Sequence, residues 1–136
     1  MRLFITGGAG FIGSNYVRHV LANTDDHVTV FDALTYAGNL ENLADVSEDP
    51  RYRFVQGDIC DRDAVAAAMP GHDAVVHFAA ESHVDRSLLD PDVFVRTNCS
   101  GTNVLCDTAT QIGVERFVHI STDEVYGSID EGSFTE

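Results

Sequence analysis

The chain has 136 residues, of which 44% are hydrophobic, so it is long enough and apolar enough to bury the core of one domain. Its 22 acidic and eight basic residues give a formal net charge of −14, which argues against binding to nucleic-acid phosphates or anionic membrane surfaces. No apolar run approaches the roughly 18 residues of a bilayer span and no signal-peptide pattern opens the sequence, so we expect a cytoplasmic protein.

The three cysteines do not form a functional pattern. Cys60, Cys99 and Cys106 are odd in number and lack the spacing of metal ligands. We therefore expect reduced thiols in the core or on the surface, and the sequence predicts no metal site.

Short apolar runs alternate along the chain with segments of helical periodicity, which is typical of parallel β/α units. The runs are rich in Val, Ile and Phe, as expected for strands that are buried on both faces. Predicted strands cover residues 2–6, 27–31, 52–56, 73–78 and 116–121. Predicted helices cover residues 12–23, 39–44, 61–69 and 93–112. Gly113 is well placed to end the last helix, and we expect loop from residue 128 to Glu136.

The first motif that carries chemistry is TGGAGFIG at residues 6–13, between the first strand and the first helix. Gly7 permits a tight turn, Gly10 lets the backbone approach a pyrophosphate, and Gly13 lets the helix pack closely on the strand. The amino terminus of the helix then attracts phosphates. A glycine turn without a ligand is the alternative, which the position of the motif disfavours. The predicted fold is a Rossmann-like, doubly wound parallel α/β sheet.

Two aspartates follow the second and third strands, where they can face a bound nucleotide. Asp32 can accept both hydroxyls of an adenosine ribose and would repel a 2′-phosphate, which favours NAD over NADP. Asp58 can accept a hydrogen bond from the adenine amino group. Each has a structural alternative, because Asp32 can form a turn and Asp58 can cap the helix that starts near Asp61.

The segment 78–83 follows the fourth strand, and its small side chains would let the backbone lie against a dinucleotide. His83 can meet a substrate phosphate or hydroxyl there, although a lone loop histidine is more often structural. His77 and His119 lie inside predicted strands, and we assign both to the core. Tyr36 is assigned to loop chemistry.

Two adjacent carboxylates, Asp123 and Glu124, follow the fifth strand in the sequence STDEVYG. Neighbouring like charges repel each other, so two adjacent acids at the edge of a sheet suggest a chemical role. A solvated loop is the alternative interpretation.

Together these segments resemble the extended short-chain dehydrogenase/reductase family and, within it, the nucleotide-sugar dehydratases. The resemblance runs through nearly the whole chain and rests on TGGAGFIG, FDALTYAGN, GDI, HFAAESHVDRS, TN and STDEVYG. It implies an NAD cofactor, a nucleotide-sugar substrate from which water is eliminated, and a homodimer.

The resemblance also implies roles for individual residues. Glu124 would remove the C5 proton of the sugar, Asp123 would donate a proton to the departing C6 hydroxyl, and Thr122 would hydrogen-bond the C4 oxygen. Neighbouring carboxyl groups push their proton affinities apart, so one can be charged while the other is neutral. Ser82 and Thr122 would lie nearest the substrate. The implied cofactor contacts, besides the three glycines, are Phe11, Ile12, Asp32, Ala33, Leu34, Thr35, Asp58, Ile59, Phe78, Ala79, Ala80, Glu81, Ser82 and Thr97.

The chain departs from the family in one respect, because all eight basic residues are arginines and it contains no lysine. Family members oxidise C4 with a tyrosine whose pKa is lowered by a lysine four residues later. Tyr126 is not that tyrosine, since the residue four positions later is Asp130, which has the wrong charge for that role. We expect the missing pair beyond Glu136, and residues 1–136 to be the NAD-binding domain of a longer protein.

Two other functions stay open at this point. One is a related NAD-dependent nucleotide-sugar epimerase or reductase, and the other is a noncatalytic dinucleotide-binding module. Thr122, Asp123 and Glu124 favour the dehydratase over the epimerase, because epimerisation at C4 eliminates no water.

Overall fold

The computed structural model describes residues 1–135, apart from the side chain of Asp123. A sheet of five parallel strands forms its centre, in the order β3-β2-β1-β4-β5. The strands are β1 (Arg2–Thr6), β2 (His27–Asp32), β3 (Tyr52–Gln56), β4 (Ala74–His77) and β5 (Arg116–His119). All five predicted strands are therefore confirmed, with ends that shift by one or two residues.

The helices match the predictions except after β4. The α-helices are α1 (Phe11–Asn23), α2 (Arg62–Ala68), α3 (Val84–Leu89), α4 (Pro91–Phe94) and α5 (Thr102–Ile112), and Val95–Gly101 is a π-helix between the last two. Two 3₁₀-helices cover Leu40–Val46 and Asp123–Tyr126. Gly113 ends α5 in the left-handed conformation, at φ 75°. The sequence did not predict α3, because no residue of this six-residue helix is buried and its apolar side chains therefore follow no core-facing period.

Apolar residues cover both faces of the sheet, which is why the strands are so uniformly apolar. On one face, Ile5 of β1 packs in a cluster with Val17 of α1 and Leu43 of the first 3₁₀-helix. On the other face, Phe4 packs in a cluster with Leu105 of α5, together with residues of α2. The helices on opposite faces make the sheet doubly wound, and the Rossmann-like fold is confirmed.

The two histidines assigned to the core have different environments. His77 on β4 is buried, with 1% of its surface exposed, as predicted. The assignment of His119 to the core is wrong, because this side chain is exposed on β5. Within residues 1–135, β5 pairs only with β4 and most of its residues are exposed, so a strand position alone does not bury a side chain there.

The sheet changes its winding direction between β1 and β4. The chain passes from β1 to β2 and β3 along one face, and then crosses to β4 on the other side of β1. The carboxyl ends of these parallel strands meet at one edge, where loops from the two faces diverge and leave a crevice. Within residues 1–135, none of the helices has the length and apolarity that a membrane crossing requires.

Candidate functional site

The glycine turn after β1 forms the floor of the crevice. Gly7 has φ +68°, and a Cβ atom on it would lie 2.5 Å from the backbone nitrogen of Ala79. A Cβ atom on Gly13 would overlap the Gly7 carbonyl oxygen. Gly10 has more space and is the residue that precedes α1, where no side chain caps the helix. The first N–H groups of α1 therefore stay free to bind an anion.

Asp32 is fixed between the glycine turn and the loop after β2. Its side chain is 8% exposed, one oxygen accepts a hydrogen bond from the Ala9 N–H at 3.0 Å, and the other accepts one from the Leu34 N–H at 2.9 Å. Leu34 has a left-handed backbone conformation, with φ 54°. A carboxylate has about four acceptor sites, so Asp32 can still bind two ribose hydroxyls.

Asp58 lies at the far end of the crevice and is not a helix cap, since Asp61 caps α2. Its oxygens accept hydrogen bonds from the Cys60 N–H at 2.9 Å and from Arg96 Nη2 at 2.6 Å. Partial burial raises the pKa of Asp58, but the hydrogen bonds from Cys60 and Arg96 outweigh burial and hold it below its ordinary value. Asp58 is therefore a preorganised acceptor.

The backbone after β4 forms the opposite wall of the crevice. Asn98 holds Glu81 by two hydrogen bonds of 2.8 Å, from the Glu81 N–H to Asn98 Oδ1 and from Asn98 Nδ2 to the Glu81 carbonyl. Arg96, Thr97 and Asn98 all lie in the π-helix, and all line the crevice. The sequence predicted a contact only for Thr97, since nothing in the periodicity of residues 93–112 reveals a π-helix. Such helices occur often at functional sites.

His77 lies beneath this wall in a chain of hydrogen bonds. Its Nδ1 is 2.7 Å from Thr6 Oγ1, and its Nε2 is 3.0 Å from Thr102 Oγ1. Burial, followed by the nearby His119 ring, lowers the pKa of His77 to about 4. The ring is therefore neutral at pH 7, and its role is structural.

The crevice consists of two adjoining clefts. The first, of about 170 Å³, is lined by most of the predicted cofactor residues: Gly7, Gly10, Asp32, Ala33, Thr35, Asp58, Ile59, Phe78, Ala79, Ala80, Glu81 and Thr97. Gly13, Phe11, Ile12 and Leu34 do not line it; Phe11 and Ile12 are exposed in the first turn of α1, and Leu34 shapes the loop beside Asp32.

The second cleft, of about 390 Å³, contains the predicted catalytic end. It shares residues 79–81 with the first cleft and is also lined by Ser82, Thr122, Glu124 and His119. The side chain of Asp123 lies outside the described residues. His83 lines neither cleft; its ring contacts the edge of the Tyr36 ring, with 6.1 Å between the centroids. No group of three or more metal-ligating side chains occurs among the described residues.

A doubly wound parallel sheet, a glycine turn before an uncapped helix and a buried carboxylate at the end of β2 define the class of nucleotide-binding α/β domains. Comparison with known proteins gives the family. The sequence profile described as "GDP-mannose 4,6 dehydratase" matches residues 4–136. The chain belongs to this family.

Individual relatives agree with that assignment. The chain is 61% identical over 137 residues to dTDP-glucose 4,6-dehydratase of Streptomyces griseus, covering 98% of this chain and 42% of that protein. The solved structure of DesIV, the dTDP-glucose 4,6-dehydratase of Streptomyces venezuelae with NAD bound, matches with a TM-score of 0.95 at 58% identity, over 98% of this chain and 43% of that one. UDP-glucose 4-epimerase of Thermus thermophilus, in complex with NAD, matches with a TM-score of 0.86 at 35% identity, over 100% and 42% of the two chains.

The chain thus spans about two fifths of the length of the relatives that it matches, from 42% to 43% for the two dehydratases. Both the dehydratase and the epimerase structures contain this type of fold.

Proposed function

We propose that this chain is the NAD-binding portion of a dTDP-glucose 4,6-dehydratase, which eliminates water from the nucleotide-linked hexose and gives a 4-keto-6-deoxy sugar. One observation carries the proposal. The cleft lined by Thr122 and Glu124 adjoins the cleft lined by the glycine turn and Asp32, because residues 79–81 line both. A sugar bound in the second cleft would lie next to the reactive end of a dinucleotide bound in the first.

The residues of the first cleft fit NAD. Gly10 and the free N–H groups of α1 suit its pyrophosphate, Asp32 its adenosine ribose, and Asp58 its adenine amino group. The negative charge of Asp32 in a nearly buried position disfavours an added 2′-phosphate. NAD, when bound, supplies the oxidant for C4 of the sugar and the reductant that completes the reaction. Phe11, Ile12, Ala33, Leu34, Thr35, Ile59, residues 78–82 and Thr97 complete the proposed cofactor site.

The residues after β5 supply the acid and the base of the elimination. Glu124, which is exposed to the second cleft, removes the proton at C5, and Thr122 hydrogen-bonds the C4 oxygen that stabilises the resulting negative charge. Asp123 is the proposed acid for the C6 hydroxyl, because it is the carboxyl group adjacent to Glu124 in sequence. A neighbouring pair can hold one proton between two carboxyl groups, which provides an acid and a base together.

Oxidation at C4 requires a further proton acceptor, for which we propose a tyrosine activated by a lysine. This chain has no lysine. We propose that the complete protein carries the pair in a part that corresponds to the length of the Streptomyces griseus relative outside the 42% that this chain covers. Ser82 completes the substrate contacts from this chain. The same proposal includes a homodimer, which sedimentation of the complete protein would test.

The test is the product that the complete protein forms from dTDP-glucose. We expect a 4-keto-6-deoxy sugar, with solvent deuterium at C5 after reaction in D₂O, both visible by NMR. UDP-glucose is the comparison substrate, because the similarity to UDP-glucose 4-epimerase makes an epimerase the second candidate. A 4-epimer without loss of water would replace the dehydratase with the epimerase, and bound NAD without turnover of either sugar would favour a noncatalytic module.

A further inference from the structure

Tyr36 joins the two walls of the crevice. It lies in the loop 33–39 after β2, on the face of the sheet with α1 and the first 3₁₀-helix. Its hydroxyl donates a hydrogen bond to Glu81 Oε2 at 3.1 Å, and Glu81 follows β4 on the opposite wall. Because β1 lies between β2 and β4, this bond crosses over the carboxyl end of β1, where the glycine turn lies.

Both partners of this bond are held in place. The Arg86 guanidinium lies over the Tyr36 ring, 4.0 Å from its centroid, and Asn98 fixes the backbone of Glu81. Only 9% of Glu81 is exposed. Burial, followed by the hydrogen bond to Glu81, raises the pKa of Tyr36, so its hydroxyl keeps the proton that the bond needs at neutral pH. Contacts of an aromatic face with a cation, and of a hydroxyl with a carboxylate, both add to the attraction between the walls.

The loop that carries Tyr36 is stiff at its base. Leu34 has its left-handed conformation because its N–H bonds to Asp32, and the Asn39 N–H donates to the Ala9 carbonyl at 3.1 Å. The tip, by contrast, holds its tyrosine half exposed. The contact with Glu81 therefore lies at the exposed tip of the loop, while the base keeps Asp32 in position.

We propose that the Tyr36–Glu81 bond is a strap over the cofactor crevice that slows the release of NAD. This inference rests on the proposed function, in which one cofactor molecule must stay bound from the oxidation at C4 until the end of the reaction. Glu81 contacts the crevice, and Tyr36 acts through it as a positioning residue. NAD enters or leaves when the strap opens and is enclosed beneath it when the strap is closed.

The test is the rate of NAD release from the complete protein and from its Tyr36→Phe variant, measured by stopped-flow displacement. Loss of a hydroxyl that bonds a carboxylate should speed release about tenfold or more, with association unchanged or faster. Tyr52→Phe is the matched control, since Tyr52 opens β3 at the opposite, amino edge of the sheet and should leave release unchanged. Thermal unfolding of both variants measures any loss of stability, and release is compared at a temperature at which both variants are fully folded.

A double-mutant cycle with Glu81→Gln supplies the second readout. If the two side chains act through their hydrogen bond, the double variant Tyr36→Phe, Glu81→Gln should release NAD less than twofold faster than Tyr36→Phe alone. The strap would be contradicted if Tyr36→Phe released NAD at a rate within twofold of the unaltered protein, or if only the rate of NAD association fell. Either result would leave NAD as the proposed cofactor. Failure of the unaltered protein to bind NAD would overturn the strap and the proposed function together.

Discussion

The two clefts differ in how their carboxylates are held. In the first, Asp32 and Asp58 each accept hydrogen bonds from backbone N–H groups, and Asp32 is almost fully buried. In the second, Glu124 is exposed and lies in a short 3₁₀-helix after an edge strand. A carboxylate that only binds a ligand gains from a fixed position, whereas one that exchanges protons during a reaction needs access to its substrate. In the proposed function, this contrast separates a binding region from a reaction region.

The largest expected effect is on the rigid side, at Gly7. Gly7→Ala combines a left-handed backbone with a Cβ atom 2.5 Å from the Ala79 nitrogen, and should lower the free energy of unfolding by about 3 kcal/mol. Gly113→Ala is the control, since Gly113 has φ +75° but nothing within 4 Å of the added atom. It should cost about 1 kcal/mol. Urea unfolding measures both, and equal losses would show that the turn does not pack as tightly as described.

On the reaction side, Glu124→Gln in the complete protein should slow dehydration of dTDP-glucose roughly 10²-fold, the usual scale for loss of a general base. NAD affinity should stay unchanged, because Glu124 lines only the second cleft. Glu131→Gln is the matched control, as Glu131 is exposed and does not line that cleft. Steady-state rates and NAD titrations measure these effects. A parallel loss of NAD affinity in Glu124→Gln would contradict the claim that Glu124 acts in the reaction and not in NAD binding.

The buried histidine gives the rigid region a pH dependence. Because the pKa of His77 is lowered to about 4, the unfolded chain takes up a proton below pH 6.5 that the folded chain does not. Stability is therefore lost as the pH falls, by about 2 kcal/mol between pH 7 and pH 5 from this residue. His77→Gln should remove this part of the pH dependence. Urea unfolding of both proteins at the two pH values measures it, and identical pH profiles would contradict a buried neutral ring.

The smallest expected effect concerns the choice of cofactor. NAD should bind more tightly than NADP, and Asp32→Asn should narrow the ratio of their affinities about tenfold because it removes the repulsion of the added phosphate. Asp61→Asn is the control; it keeps an effective cap on α2, outside both clefts, and should leave the ratio unchanged. Calorimetric titration of the unaltered protein and of both variants with NAD and with NADP measures this ratio. Equal affinity of the unaltered protein for NAD and NADP would exclude Asp32 from the proposed role.

The sequence predicts the buried strands and the glycine turn well, and the surroundings of the site less well, for physical reasons. Strands buried on both faces have a clear apolar signature, and the glycine turn follows from steric demands that only glycine meets, so β1 and Gly7 were evident. The exposure of His119 was missed because strand periodicity does not reveal which strand lies at an edge. Arg96 was missed because its role depends on a π-helix and on a partner, Asp58, 38 residues away.

The predicted residue roles divide in the same way. Most of the cofactor positions line one cleft, which is a geometric agreement, while the chemical roles of Thr122, Asp123 and Glu124 stay predictions. The cytoplasmic location also stays a prediction.

The most direct test of the central claim is a single turnover of dTDP-glucose by the complete protein with Asp123→Asn or Glu124→Gln, followed at the NADH absorbance band. If this pair serves elimination only, C4 is still oxidised in both variants. The hydride that NADH then holds has no acceptor at C6 until water departs. The account predicts that absorbance rises at the normal rate in both variants and then decays at least roughly 10²-fold more slowly than in the unaltered protein. Rise and decay indistinguishable from the unaltered protein would contradict it and leave Asp123 and Glu124 without a role in the chemistry.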